Sequence, residues 1–357
     1  MKKTLLAIAA LAATSGAFAQ SSVTMYGVVD ASIEHVKGTA GVTRVSSDNL
    51  ATSRLGFKGS EDLGGGLRAN FALETAVKSD TGQNGGGTAR FFDRAAWVGL
   101  QGGFGELRLG RIDSSIGALA GDTKILGAQT YDDFKIAKTR AGDTYRRVDN
   151  AITYVLPTFL PGLSAQLQYS TAGNYATANN AEAVSGSDIG KSYGLSVKYA
   201  AGPFSAGLGY LSAKDETGLI TANAGDKANA TLVYAGYDFG VLKLTGYYDT
   251  ESQVTGTDRL SLVGIRVGVP ITANFSVQAS LSQASNVAVA ASDSDHDDAT
   301  IASLKAVYNL SKRTSVYGIV TNVNNESLSQ LGVDASNVAV AAGKSSRGIA
   351  FGIAHAF

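Results

Sequence analysis

A chain of 357 residues with 30 basic and 30 acidic side chains, no cysteine and three histidines sets several chemistries aside. Without cysteine there is no disulfide framework, no thiolate metal site and no cysteine nucleophile, and the balanced charge gives no sign of a nucleic-acid surface. Glycine is abundant (43), proline scarce (4), and tyrosine (15) and phenylalanine (13) are plentiful, with no linker or shift of composition along the chain; together these point to one large all-β body.

Residues 1–19, MKKTLLAIAALAATSGAFA, begin with Lys2 and Lys3, continue with an apolar stretch from about Leu5 to Ala13 and end on Ala17-Phe18-Ala19. That order is expected of a cleavable secretory signal peptide, and the apolar stretch is too short to cross a bilayer as a helix. Cleavage would leave residues 20–357 as the mature chain.

From there on, apolar and polar residues alternate, the period of a strand with one apolar face. About sixteen such segments can be drawn, near 23–34, 50–59, 67–78, 91–101, 104–111, 149–156, 163–170, 191–200, 204–213, 229–238, 241–252, 258–269, 273–283, 299–309, 314–323 and 347–357. In the segment at 163–170, Leu163, Ala165, Leu167 and Tyr169 share one face and Ser164, Gln166, Gln168 and Ser170 the other. The last segment sets Ile349, Phe351, Ile353 and His355 on one face and stops on Phe357.

The connections alternate in length. GSEDLGGG, QGGFG, PTFLPG, AAGP, DFG, PITA and LSKR are short, whereas HVKGTAGVTRVSSDN, KSDTGQNGGGTAR, the stretch from about Ile112 to Val148, and those near 171–190, 286–298 and 324–346 are long. Residues 253–257 are the exception, short on the long side. Tight turns at one end and long loops at the other describe a transmembrane β-barrel with turns toward the periplasm. An even strand count lets the last strand pair with the first, so that no edge is left unsatisfied in lipid. A soluble β-sandwich, the alternative, would not combine this repeat with such loop asymmetry.

QSSVTMYGVVDASIE, SRLGFKGSEDLGGGLRANFALE, DRAAWVGLQGGFGELRLGR, YDFG, YNLSKRTSVYG and terminal GIAHAF occur in that order along the whole mature chain. This set resembles the general-diffusion porins of β-proteobacteria, the group that includes the neisserial and Burkholderia-type porins. The resemblance implies a sixteen-stranded barrel, a homotrimer in the outer membrane and a third external loop folded into the lumen. It also implies an insertion machinery that reads the terminal aromatic, here Phe357, as the assembly signal.

A barrel of this size encloses an aqueous channel, and selectivity arises at its narrowest ring. The candidate constriction is the loop near 112–148, with Asp113, Asp122, Asp132, Asp133 and Asp143 and the bases Lys124, Lys135, Lys138 and Arg140. From the residues alone an ordinary solvated external loop fits equally well; the resemblance favours the inward fold. Strand parity turns Arg54, Lys58, Arg68, Glu74 and Arg108 inward, since Leu55, Phe57, Leu67, Phe71, Leu73, Leu107 and Leu109 face out. A mid-bilayer charge on the lipid face would cost about 2–4 kcal/mol. Arg146 and Arg147 lie where the loop returns to the wall. Arg94 matches a pore-lining arginine of the resembled family, yet counting back from Leu100 puts it on the lipid side; either a bulge intervenes or it sits above the apolar band.

Arg54 is expected to oppose Asp113, Asp122, Asp132 and Asp133 across the lumen. The excess of inward arginines suggests an anion preference. The acidic stretch Ser292–Asp298 could attract a divalent cation but lacks the glycine and distal glutamate of a calcium loop, so a solvated loop is the simpler reading. The expected function is passive diffusion of small hydrophilic solutes and ions with no cofactor. A solute-specific channel is the alternative. A barrel enzyme is disfavoured by scattered histidines, and an adhesin by moderate loops.

Overall fold

A computed structural model describes residues 22–85, 90–123, 131–139, 145–171, 190–214, 227–252, 259–287, 296–334 and 337–357. The expected signal peptide, Lys124, Arg140, Asp143 and most of the acidic stretch at 292–298 lie outside the described residues.

The elements in chain order are β1 (Ser22–Lys37), β2 (Gly41–Ser47), β3 (Arg54–Gly64), β4 (Leu67–Ala76), β5 (Ala95–Gly102), β6 (Gly105–Asp113), α1 (Ser115–Thr123), α2 (Asp133–Ile136), β7 (Arg147–Val155) and β8 (Leu163–Ser170). They continue with β9 (Ser192–Ala201), β10 (Phe204–Lys214), β11 (Lys227–Asp238), β12 (Lys243–Ser252), β13 (Arg259–Pro270), β14 (Phe275–Ser285), β15 (Ala299–Asn309), β16 (Thr314–Asn325) and β17 (Ser346–Ala356). From β3 onward neighbours in sequence pair antiparallel, and β17 returns to β1 from Val28↔Ala356 to Lys37↔Arg347. The result is a closed barrel with sixteen staves.

The seventeenth strand arises because one stave is interrupted. The outer half of β1 pairs with β2 and its inner half with β3. The chain leaves the wall between them, with Asp48 at a φ of 74°. The Asp30 carboxylate holds this detour by accepting the N–H groups of Leu50 and Ala51, each at 2.7 Å. The long first loop expected from the sequence is therefore largely a hairpin that extends β1, and the stave expected near 50–59 starts at Arg54.

The outward face carries the apolar side chains, with Met25 59%, Ile33 65% and Phe351 68% exposed. Inward residues of β1 such as Asp30, Ser32 and Glu34 are buried. At the seam Gly27 N–H donates to Phe357 O at 3.2 Å and Phe357 N–H to Gly27 O at 3.1 Å. The Phe357 ring lies over Gly27, where any Cβ would fall 2.3 Å from a ring carbon. The seam needs this glycine because backbone and ring approach too closely for a side chain.

The segment after β6 folds into the lumen. α1 packs against β8, β9, β10 and β11, and Leu119 lies so close to the wall that a Cβ at Gly209 would meet its Cδ1 at 2.4 Å. Ile116, Leu119, Tyr131, Phe134 and Tyr145 form a core with the inward residues Leu211, Leu232, Leu262 and Ile301. Leu331, Val333 and Val338, from the last external segment, join the same core. Tyr131 reaches Glu34 at 3.2 Å; burial first, and then the Glu34 charge, push its hydroxyl pKa well above the ordinary tyrosine value.

An ion pair anchors this core to the far wall. Arg266 on β13 and Asp133 are each 1% exposed and bonded to one another. The guanidinium is flanked by the rings of Tyr247 (4.3 Å) and Phe134 (5.4 Å) and donates to Thr123 Oγ1 at 2.9 Å. Tyr247 Oη donates to the other Asp133 oxygen.

Two outcomes follow for the folded barrel. Deleting Phe357, or replacing Gly27→Val, should remove most of the heat-modifiable folded band on electrophoresis of outer membranes; an unchanged band in both variants would reject the seam as a determinant of closure. Arg266→Met strands the buried Asp133 charge and should lower stability by about 3–5 kcal/mol, read as thermal unfolding in detergent. Adding Asp133→Asn to Arg266→Met should recover over half of that loss, whereas additive losses would show that the two side chains act independently.

Candidate functional site in the barrel lumen

The inward faces of β3 to β7 carry a cluster of arginines around a few carboxylates. Glu74 on β4 receives Arg94 Nε at 2.5 Å and Tyr26 Oη at 2.8 Å, and Arg54 Nε lies 3.7 Å away. Asp113, the last residue of β6, is 3.0 Å from Arg147 Nε and 3.9 Å from Arg146 Nε. Asp149 on β7 binds Arg90 at 2.6 Å and also Arg111. Arg94, Arg111 and Arg146 all act electrostatically on Arg147, so these groups make one field.

Two of these arginines reach the cluster through local breaks in strand geometry. β5 begins only at Ala95, so counting in twos from Leu100 fails before Arg94 is reached. Arg94 N–H still donates to Glu74 O at 3.1 Å, and its side chain turns to the carboxylate of the same residue. The conflict between parity and resemblance at Arg94 thus has a physical cause: the strand expected from residue 91 is absent before residue 95. Arg111 lies beyond a register shift between Gly110 and Ile112. A bulge re-aims the side chains that follow it, and Gly110 permits this one with a φ of 132° where a Cβ would lie 2.2 Å from Ala96 O. Arg111 Nε then donates to Asp93 O at 2.7 Å.

The other expected wall bases form a ladder toward the short turns. Lys58 lies over the Tyr26 ring at 5.2 Å, four residues along β3 from Arg54 and so about 13 Å below it. Arg108 stacks on Trp97 at 4.6 Å and pairs with Glu106 at 2.5 Å. Arg68 is exposed near the turn, opposite Asp62 in register.

The loop carboxylates do not form the row expected opposite Arg54. Asp132 caps the N-terminus of α2 by accepting Phe134 N–H, and it is 2% exposed. Asp133 is committed to Arg266. Both are withdrawn from the lumen, because charge is legible in a sequence while burial by a loop's own core is not. Asp113 belongs to the wall and faces Arg146 and Arg147. Asp122, on α1, stays in the lumen and meets Lys198 on β9 at 3.0 Å. Sequence reading missed Arg90, Arg111, Asp149, Lys198 and Arg266 as members of these networks. Arg266 could have been found by parity, since Ile265 and Val263 face outward; Arg111 could not, because the bulge breaks parity. Among the described residues no cluster of side chains is arranged to hold a metal ion.

The profile of the Gram-negative porin family matches residues 7–328. Outer membrane porin protein 32 of Delftia acidovorans is 36% identical over 371 residues, 100% of each chain. The major outer membrane protein P.IB of Neisseria lactamica is 33% identical over 183 residues, 49% of this chain and 51% of that one. Among solved structures, an anion-selective porin from Comamonas acidovorans superposes with a TM-score of 0.74 at 30% identity, covering 95% of this chain and 100% of that one. Salmonella typhi OmpF superposes at 0.66 and 18% identity over 94% and 97% of the two chains, a likeness of fold alone. Family and fold point to a channel rather than an enzyme. A closed barrel with a charged, inward-narrowed lumen and these relatives lead to one assignment: the chain belongs to the Gram-negative porin family and forms a water-filled channel across the outer membrane.

Proposed function

We propose that the channel passes small hydrophilic solutes by passive diffusion and prefers anions, with its constriction between the arginine wall and the inward loop. The carrying observation is stoichiometric. Among the described residues Glu74, Asp113 and Asp149 are each shared by two arginines, so six guanidinium groups meet three carboxylates. Counting Asp93, whose carboxylate accepts Ala76 N–H at 2.8 Å, still leaves two positive charges in excess. Guanidinium groups stay ionised at any accessible pH, and in a narrow lumen the excess acts at short range. Lys58 extends the positive strip toward the short turns. The anion-selective relative from Comamonas acidovorans supports the same sign. The homotrimer implied by the family resemblance is the proposed assembly, and Phe357 the proposed signal for the insertion machinery.

Reversal potentials in planar bilayers under a potassium chloride gradient test the reading. The wild-type potential should take the anion sign and weaken toward molar salt, where the Debye length falls to about 3 Å. Arg54→Ser with Arg146→Ser removes two of the cluster's positive charges and should move the potential toward cations. A cation-side wild-type potential, or no shift in the double variant, would overturn it.

A further inference from the structure

Across the barrel from the arginine wall, a recess of about 350 Å³ opens beneath α1. It lies at the short-turn end of the lumen. Lys243 is the first residue of β12, Ser205 the second of β10, and Lys198 stands close to the end of β9. These side chains point inward, since Leu208, Val197 and Tyr248 on the same strands face outward.

The recess carries three charges. Lys198 holds Asp122 at 3.0 Å, whereas Lys243 forms no ion pair among the described residues. The balance is therefore one positive charge, presented by an ammonium with three unfilled donor directions. Around it stand the hydroxyls of Ser205, Thr245 and Tyr234, each able to donate and to accept. Asp122, close enough to Tyr234 to act on it electrostatically, adds a carboxylate that accepts from hydroxyl donors. The floor between two of these hydroxyls is kept open by Gly236, where a Cβ would lie 2.9 Å from Ser205 Oγ and 3.1 Å from Thr245 Oγ1.

We propose that this recess is a binding station, on the periplasmic side of the constriction, for a small polyhydroxylated monocarboxylate of the sugar-acid class. The charge balance matches a monoanion. A phosphate monoester would bring about two negative charges against a surplus of one, and no arginine among the lining residues offers it a fork. A neutral sugar would leave Lys243 unmatched. The carboxylate sits against Lys243 Nζ, and its hydroxyls exchange hydrogen bonds with Ser205, Thr245, Tyr234 and Asp122. No bond is made or broken, so the station raises the local concentration of the solute and slows its passage without consuming energy. The inference rests on the channel reading and not on the sign of selectivity at the arginine wall.

The test uses the full-length protein in planar bilayers, with gluconate added on the short-turn side of a channel bathed in potassium chloride. Gluconate should block the wild-type current, and Lys243→Gln should raise the half-blocking concentration about tenfold, the loss of one charge-assisted hydrogen bond. Gly236→Ala, which narrows the floor without changing charge, should raise it as well. Glucose should not block, and glycerol phosphate should block more weakly than gluconate. An equal half-blocking concentration in wild type and Lys243→Gln would overturn the site. So would block by glucose at the same concentration, or tighter block by glycerol phosphate. A heat-modifiable band confirms that each variant is folded. The wild-type reversal potential without gluconate reads the arginine wall separately, so failure there is distinguished from failure here.

Discussion

A strand in hydrocarbon can send its N–H and C=O groups only to another strand. Every stave must therefore be paired on both sides, and the last must find the first. In this chain the two backbone bonds between Gly27 and Phe357 finish that seam. Sixteen staves then enclose more space than their own inward side chains fill. Part of the excess is occupied by α1 and α2, between β6 and β7, so lumen geometry is a second consequence of the same constraint. The loop has a core because the far wall supplies one: Leu211, Leu232, Leu262 and Ile301 turn inward just where α1 and α2 arrive.

What the loop leaves open is as specific as what it covers. Its apolar side and its buried ion pair go to β10–β15, and the opposite wall leaves its arginines partly exposed. An Asp133–Arg266 pair at 1% exposure demands desolvation of both charges, which the flanking aromatic rings and Thr123 contacts offset. On the other wall Glu74, Asp113 and Asp149 are each shared by two arginines and neutralise neither fully. That arrangement is unfavourable for stability taken alone, since like charges are held together at short range. It persists where water and passing counterions complete the neutralisation, which is what a conducting lumen provides.

The strands were legible because two physical regularities coincide: the period-2 alternation imposed by lipid on one side and water on the other, and the contrast of tight turns with long loops. Legibility ended where either regularity lapsed. In β2, Val42 and Val45 fall on opposite faces, so it read as a loop. Arg94 and Arg111 sit where a strand starts late and where a bulge shifts register, and parity misplaces any residue beyond such a break. Asp132 and Asp133 were visible as charges, but a helix cap and a partner 133 positions away decide that they are buried. Lys198 and Lys243 had inward parity from the start. Their meaning came only from the closed ring, which sets β9 to β12 side by side beneath α1.

The lumen uses its two cations differently. Guanidinium groups are planar, permanently charged and held by bidentate geometry, and here carboxylates fix most of them to the wall. On the proposed reading they form a static field that sorts solutes by sign without gripping any one of them. Lysine is a compact charge on a flexible stem, and Lys243 is tethered only at its backbone end. Such a group can follow a solute over a few ångströms and let it go. In the proposed channel a fixed field at the arginine wall and a movable charge below it divide sorting from release. Movement through a passive pore needs both, since a site that holds too tightly stops the flow it selects.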